Sequence, residues 1–204
     1  MVKKLKYIVL AFSALLLFVG CSQNNVSSDN GTATKQKQQN PKQVYASVGG
    51  KKISQEEMDY ECFRAKLQNA LANTAEQNSC PPEKTIISQI VELKAIDYLA
   101  KEKGVTATAK EVQQRIGKLK KEEASDSTFQ EMVTAFGTEK FWKYEEQRYY
   151  TIVNAEKVKE KLIEEEKQKN SYLDDKALKL SAQQSFDDLI VEAVGMVDAT
   201  IFYY

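Results

Sequence analysis

The sequence predicts a mainly α-helical domain closed by a small antiparallel β element that joins its N- and C-terminal ends. Three observations carry that expectation. Capping boxes led by serine or threonine recur before stretches of helical apolar spacing, glycines stand where those stretches stop, and short β-branched runs are confined to the two ends, around 44–53 and 197–204.

The first two runs, Val44-Tyr45-Ala46-Ser47-Val48 and Lys51-Lys52-Ile53, flank Gly49-Gly50. A glycine pair suits a tight hairpin turn that requires positive φ. Ser54-Gln55-Glu56-Glu57 is a capping box and predicts a first helix with Met58, Cys62, Ala65 and Phe63, Leu67, Leu71 at helical spacing. The polar segment 73–79 and Pro81-Pro82 interrupt it. A second helix is expected over about 82–103, with Ile86, Ile90, Leu93, Ile96 and Leu99 or Ala100 inward and Gly104 as its stop.

Thr108-Ala109-Lys110-Glu111 is a second capping box, opening a helix through Val112, Ile116 and Leu119. Ser127 is placed to cap a short helix carrying Phe129, Met132, Val133 and Phe136, closed by Gly137. Thr138 is placed to cap a long helix over 139 to about 168, in which Phe141, Trp142, Tyr149, Ile152, Val153 and Leu162 recur at helical intervals. After the Lys/Glu-rich hinge 164–170, Phe186, Leu189, Ile190, Ala193 and Val194 fit a last helical face, and 197–204 reads as extended. A terminal strand needs a partner to cover its backbone, and the hairpin 44–53 is the natural one.

Upstream, Lys3, Lys4 and Lys6 precede an apolar run over 7–19 that stops at Gly20-Cys21, the layout of a secretory signal. The run falls short of the roughly 20 apolar residues of a membrane span. Phe18-Val19-Gly20-Cys21 resembles a bacterial lipobox, with Phe18 where that motif usually has leucine. The resemblance implies removal of 1–20, acylation of Cys21 with palmitate-type chains, and an extracytoplasmic lipoprotein held to the membrane by its N-terminal lipid. An uncleaved N-terminal anchor is the alternative. Residues 21–43 contain almost nothing to bury and read as a polar tether with a reach on the order of 25 Å. The expected organisation is therefore a signal at 1–20, the lipidated cysteine and tether at 21–43, and one helical domain at 44–204.

Composition excludes several function classes. The chain has 29 basic and 29 acidic residues, and loss of the signal's three lysines leaves a mildly acidic protein, unlike the concentrated positive charge of nucleic-acid binders. There is no histidine, which removes serine–histidine and cysteine–histidine relays and imidazole metal ligands. No metal-ligand set or cofactor motif is visible, so the covalent lipid is the only non-protein group expected. With Cys21 assigned to lipid, Cys62 and Cys80 remain in an oxidising compartment. They read either as one disulfide or as two separate thiols. The first requires the segment 73–79 to fold back along the first helix.

The pattern from Ala46 through Glu57, then 93–105 and 108–112, resembles the N-terminal domain of SurA- and PrsA-type foldases over most of 44–165 and, more weakly, the terminal helix and strand. That family implies a helical, peptide-binding fold shared with the trigger factor C-terminal region. Many relatives insert a parvulin-type prolyl isomerase domain between the long helix and the terminal segment. Here only the linker 167–176 occupies that place, so isomerase activity is not carried over.

The expected function is non-catalytic, chaperone-like binding of unfolded or extended segments of exported proteins in an apolar groove lined by Met58, Phe63, Met132, Phe136, Phe141, Trp142 and Tyr149. The alternative is a helical adaptor lipoprotein specific for one cell-envelope partner. An enzyme is disfavoured: the densest polar groups, Tyr149-Tyr150, Glu122-Glu123 and Glu164 through Glu166, read as solvated helix surface.

Overall fold

In a computed structural model, residues 44–74, 79–123, 125–197 and 199–201 are described. The expected signal 1–20, Cys21, the tether 21–43 and the end of the terminal strand lie outside the described residues. Strands β1 (Val44–Val48) and β2 (Lys51–Ser54) form an antiparallel hairpin. Gly49 and Gly50 turn it with φ of 56° and 74°, the left-handed region that a side chain disfavours. Strand β3 (Ala199–Ile201) pairs antiparallel with β1, Ala46 opposite Ile201, so the sheet order is β2-β1-β3 and the two ends of the domain meet.

Helix α1 (Gln55–Leu71) starts at the expected box. Ser54 Oγ accepts from Glu57 N–H at 3.3 Å and the Glu57 carboxylate accepts from Ser54 N–H at 3.4 Å. Helix α2 (Glu83–Glu102) follows Pro82 and buries Ile86, Ile90, Ile96, Leu99 and Ala100 as expected. Ile87, Val91 and Ala95 are buried too, while Leu93 is only half-buried. Its inward face is wider than one stripe because strands and helices pack on it from several sides. Helix α3 (Ala109–Glu123) opens on the second box, with Thr108 Oγ1 and Glu111 exchanging bonds with each other's N–H, and buries Val112, Ile116 and Leu119.

Two caps differ from expectation. Helix α4 (Ser127–Phe136) is capped by Asp126, whose carboxylate accepts from Phe129 N–H at 3.0 Å, so Ser127 is its first helical residue. A carboxylate suits that place because it also faces the positive end of the helix dipole. Gly137, at φ 103°, ends α4 and is at once the N-cap of α5 (Thr138–Lys169), which leaves Thr138 inside the helix and the start of α5 without a side-chain cap. Helix α6 (Asp175–Met196) is capped by Asp174 through Ala177 N–H at 2.8 Å.

Three apolar clusters form along α5. The largest joins Ala46, Val48 and Ile53 of the sheet to α2, to Ala155, Val158 and Leu162 of α5, and to Ala182 and Phe186 of α6. A second, aromatic cluster packs α1, α4 and the start of α5 around Phe141. A third sets Val112 and Ile116 of α3 against Val153 of α5. Burying one such aliphatic or aromatic side chain stabilises by about 1.5–3 kcal/mol.

Cys62 and Cys80 form a disulfide with Cα atoms 5.0 Å apart. Helix α1 stops at Leu71, with Asn73 at φ 54° just beyond it, so it does not carry Cys80 away from Cys62. The bond thus ties the α1–α2 connection back onto α1. Because it closes a loop of 18 residues, reduction is expected to cost about 3 kcal/mol through the unfolded chain's entropy; urea unfolding with and without dithiothreitol measures this. A second expectation concerns acid. Lys157 and then Thr108 hydrogen-bond Glu111 and hold its carboxyl down at about 2. Its contribution to the α3 N-terminus is complete above the ordinary carboxyl range and fades as pH falls from about 4.5 towards about 2. Protection of the Thr108 amide, which donates to the Glu111 carboxylate, should fall over that window relative to its intrinsic exchange rate in the native chain and lack this pH step in Glu111→Gln.

Candidate binding cleft

The seven residues expected to line one apolar groove are divided among the three clusters. Met58 is buried in the large core, and Phe141, 1% exposed, is the centre of the aromatic cluster. Tyr149 packs on the third cluster beside α3. Helical spacing marks Met58 and Phe141 as inward, and inward here means core, while Tyr149 is half-buried at the edge of its cluster. The other four, Phe63, Met132, Phe136 and Trp142, are half-buried at the edge of the aromatic cluster. Phe63 and Phe136 stack with centroids 4.2 Å apart, and both Phe129 and Trp142 meet Phe141 edge-on at 5.6 and 4.9 Å. Lys120 Nζ stands over the Trp142 ring at 4.6 Å and Lys140 Nζ over Phe136 at 4.9 Å. The result is a rim of aromatic and thioether surface with cations above it.

Where α1 crosses α5, the contact is polar. Glu61 and Arg64 lie one turn apart on α1, Glu145 and Arg148 one turn apart on α5, and they pair crosswise. Arg64 Nη1 donates to both Glu145 oxygens at 2.7 and 2.9 Å; Arg148 Nη1 donates to both Glu61 oxygens at 2.9 and 3.0 Å. Tyr60 also donates a short hydrogen bond to Glu145, and Tyr144 donates to Glu56 at 2.9 Å. Burial and then the Glu145 charge push the Tyr60 hydroxyl well above its ordinary value. Burial opposes the Arg64 charge, but Glu145, Tyr60 and Glu61 outweigh it, and the guanidinium is held above its ordinary range. Burial with Glu145 pushes Tyr149 up to about 12.

Beside this crossing lies a cleft of about 560 Å³ walled by β2, α1, α2 and α5. Lys51, Lys52 and Ser54 come from β2, Glu57 and Glu61 from α1, Lys94 and Asp97 from α2, and Lys143, Arg148 and Thr151 from α5. Lys94 Nζ pairs with Glu57 at 2.8 Å. Asp97 accepts from Asn154 Nδ2 at 2.8 Å and from Thr151 Oγ1 at 3.0 Å. Burial pushes Asp97 up, against those bonds and the charges of Lys94 and Lys51.

The crosswise pairs and the cleft were not anticipated from the sequence. One signal for the pairs is present: Glu61 and Arg64, and again Glu145 and Arg148, stand at i, i+3, which places each acid and base on one helix face. Among the described residues no cluster of three or more histidine, cysteine or acidic side chains is arranged to hold a metal ion, and no helix is long and apolar enough to cross a membrane.

A family model described as a SurA-like N-terminal domain matches residues 2–176. No curated protein and no solved structure matches the chain.

Glu145 is the test of the crossing, since its side chain is 4% exposed and receives both Tyr60 and Arg64. Glu145→Ala would leave a buried guanidinium unpaired and is expected to cost about 3–5 kcal/mol in urea unfolding. Adding Arg64→Met to that variant should recover part of the loss.

Proposed function

The chain belongs to the family of SurA-like N-terminal domains, and from that premise we propose that it is a non-catalytic, chaperone-like lipoprotein that binds unfolded or extended segments of exported proteins. Family membership suggests the peptide-binding role. The observation that favours it within this chain is the half-buried rim of Phe63, Met132, Phe136 and Trp142. Binding of varied apolar segments needs surface that is partly accessible and adaptable, and methionine beside aromatic rings supplies both. Chemistry of this kind requires no nucleophile and no cofactor.

The anchor is the second part of the proposal. Lys3, Lys4 and Lys6, the apolar run and Gly20-Cys21 support removal of 1–20 and acylation of Cys21. With 21–43 as a polar tether, the domain would work outside the cytoplasm, close to a membrane surface. Acyl chains would supply the attachment, each buried methylene contributing about 0.8 kcal/mol.

The residue 22–204 fragment is expected to suppress aggregation of several unrelated denatured proteins, with Phe136→Ser and Met132→Ser weakening the effect while the fold is kept. Intact mass of the protein from membranes should correspond to a chain beginning at an acylated Cys21. Suppression absent, with one stoichiometric partner captured instead, would move the reading to a partner-specific envelope adaptor.

A further inference from the structure

Resting on the peptide-binding reading above, the geometry points to the chemical class of segment that the cleft between β2, α1, α2 and α5 takes: an extended polypeptide carrying aspartate or glutamate side chains. The cleft's own acids are already committed. Glu57 accepts from Lys94 and from the Ser54 N–H, Glu61 accepts from Arg148 with both oxygens, and Asp97 accepts from Asn154 and Thr151.

Its bases are not. Lys51, Lys52 and Lys143 are exposed on the cleft wall and form no ion pair among the described residues. The nearest engagement of Lys143 is the Tyr144 ring, 5.7 Å from its Nζ. Arg148 uses only Nη1 on Glu61, and its Nε–H is buried with no acceptor among the described residues. The wall therefore carries five basic side chains, Lys51, Lys52, Lys94, Lys143 and Arg148, against three acidic ones, Glu57, Glu61 and Asp97, an excess of positive charge.

This local excess is not a reflection of composition, because the chain as a whole is balanced at formal net charge zero. A concave wall with charge of one sign in excess focuses the field on whatever enters. The chain's own tether is a poor occupant: within 21–43 the ionisable side chains besides Cys21 are Lys35, Lys37, Lys42 and a single acid, Asp29. An acidic segment of another protein matches instead, with carboxylates meeting the lysines.

The test is fluorescence anisotropy of labelled short peptides on the full-length chain in neutral detergent. One peptide alternates Glu with Ser and Gly, one has Gln at every Glu, and both are C-terminally amidated; a third is the Gln peptide with a free C-terminal carboxylate. The Glu peptide is expected to bind about tenfold tighter than the amidated Gln peptide, the preference shrinking as salt rises. Lys51→Glu with Lys52→Glu, on an exposed strand, should abolish the preference, and Lys143→Glu should reduce it independently.

Equal binding of the amidated Gln and Glu peptides, or a preference that survives the strand charge reversal, would overturn the inference. So would a preference for the free C-terminus over internal glutamates, or binding to anionic vesicles without binding to the Glu peptide. A Phe-rich neutral peptide separates the two levels. If it binds while the Glu peptide does not, peptide binding stands and the acidic assignment fails; if no peptide binds, both fail.

Discussion

Glu145 is the anion around which the N-terminal half of the domain is arranged. It is 3% exposed and accepts from Tyr60 and Arg64 of α1, while one turn along α5 Arg148 donates to Glu61 in return. Two carboxylates and two guanidiniums in crosswise register tolerate little sliding, since a shift of one helical turn would set like charges against each other. Such a set is weak as a source of stability, because desolvation consumes much of the Coulomb gain. Its effect is to fix where α1 crosses α5. That crossing places Phe63 against Phe136 and Phe141 on one side and opens the cleft beside Arg148 on the other.

A helix as long as α5 imposes the rest. Its 32 residues span about 48 Å, beyond the roughly 30 Å of a small domain, so no single core can cover it. Three are used: the aromatic cluster at its start, α3 at its middle, and α2, α6 and the sheet at its far half. The last is where the two ends of the domain meet, with β3 hydrogen-bonded to β1 and Phe186 of α6 in the same core as Ile53. Lys161 Nζ, donating to the Lys103 carbonyl at 2.6 Å, and Lys157 Nζ, donating to the Thr106 carbonyl at 3.0 Å, hold the α2–α3 connection against the same helix. The family match ends at residue 176, yet α6 beyond it supplies one wall of the main core.

What was legible in the sequence is what local chemistry decides. The boxes Ser54–Glu57 and Thr108–Glu111 and the stops at Gly104 and Gly137 all act within a few residues of themselves, and the helices begin and end where they say. The cap of α4 was misplaced by one residue because Asp126 and Ser127 are both good caps, and only the backbone turn selects between them. Periodicity identified an inward face on α5 without telling core from groove: Phe141 and Trp142 are neighbours in sequence, one buried and one half-exposed. The crosswise pairs join residues 81 to 87 positions apart, and no local pattern reports such a distance. The Cys62–Cys80 bond is open in the sequence because it hangs on where α1 ends, at Leu71.

Burial and neighbouring charges set the protonation of the side chains along the crossing. Burial pushes the Tyr60 and Tyr144 hydroxyls above their ordinary value, with Glu145 and Glu56 adding to it, so both stay neutral donors across the physiological range. Arg64 keeps its charge because its partners outweigh its burial. With no histidine in the chain, no imidazole contributes to this wall. Tyr60 and Tyr144 belong to that wall and also, through rings stacked at 5.0 Å, to the aromatic cluster. Through these two rings the cationic cleft and the half-exposed aromatic rim share one rigid support, so a long segment meeting both would find their spacing already set.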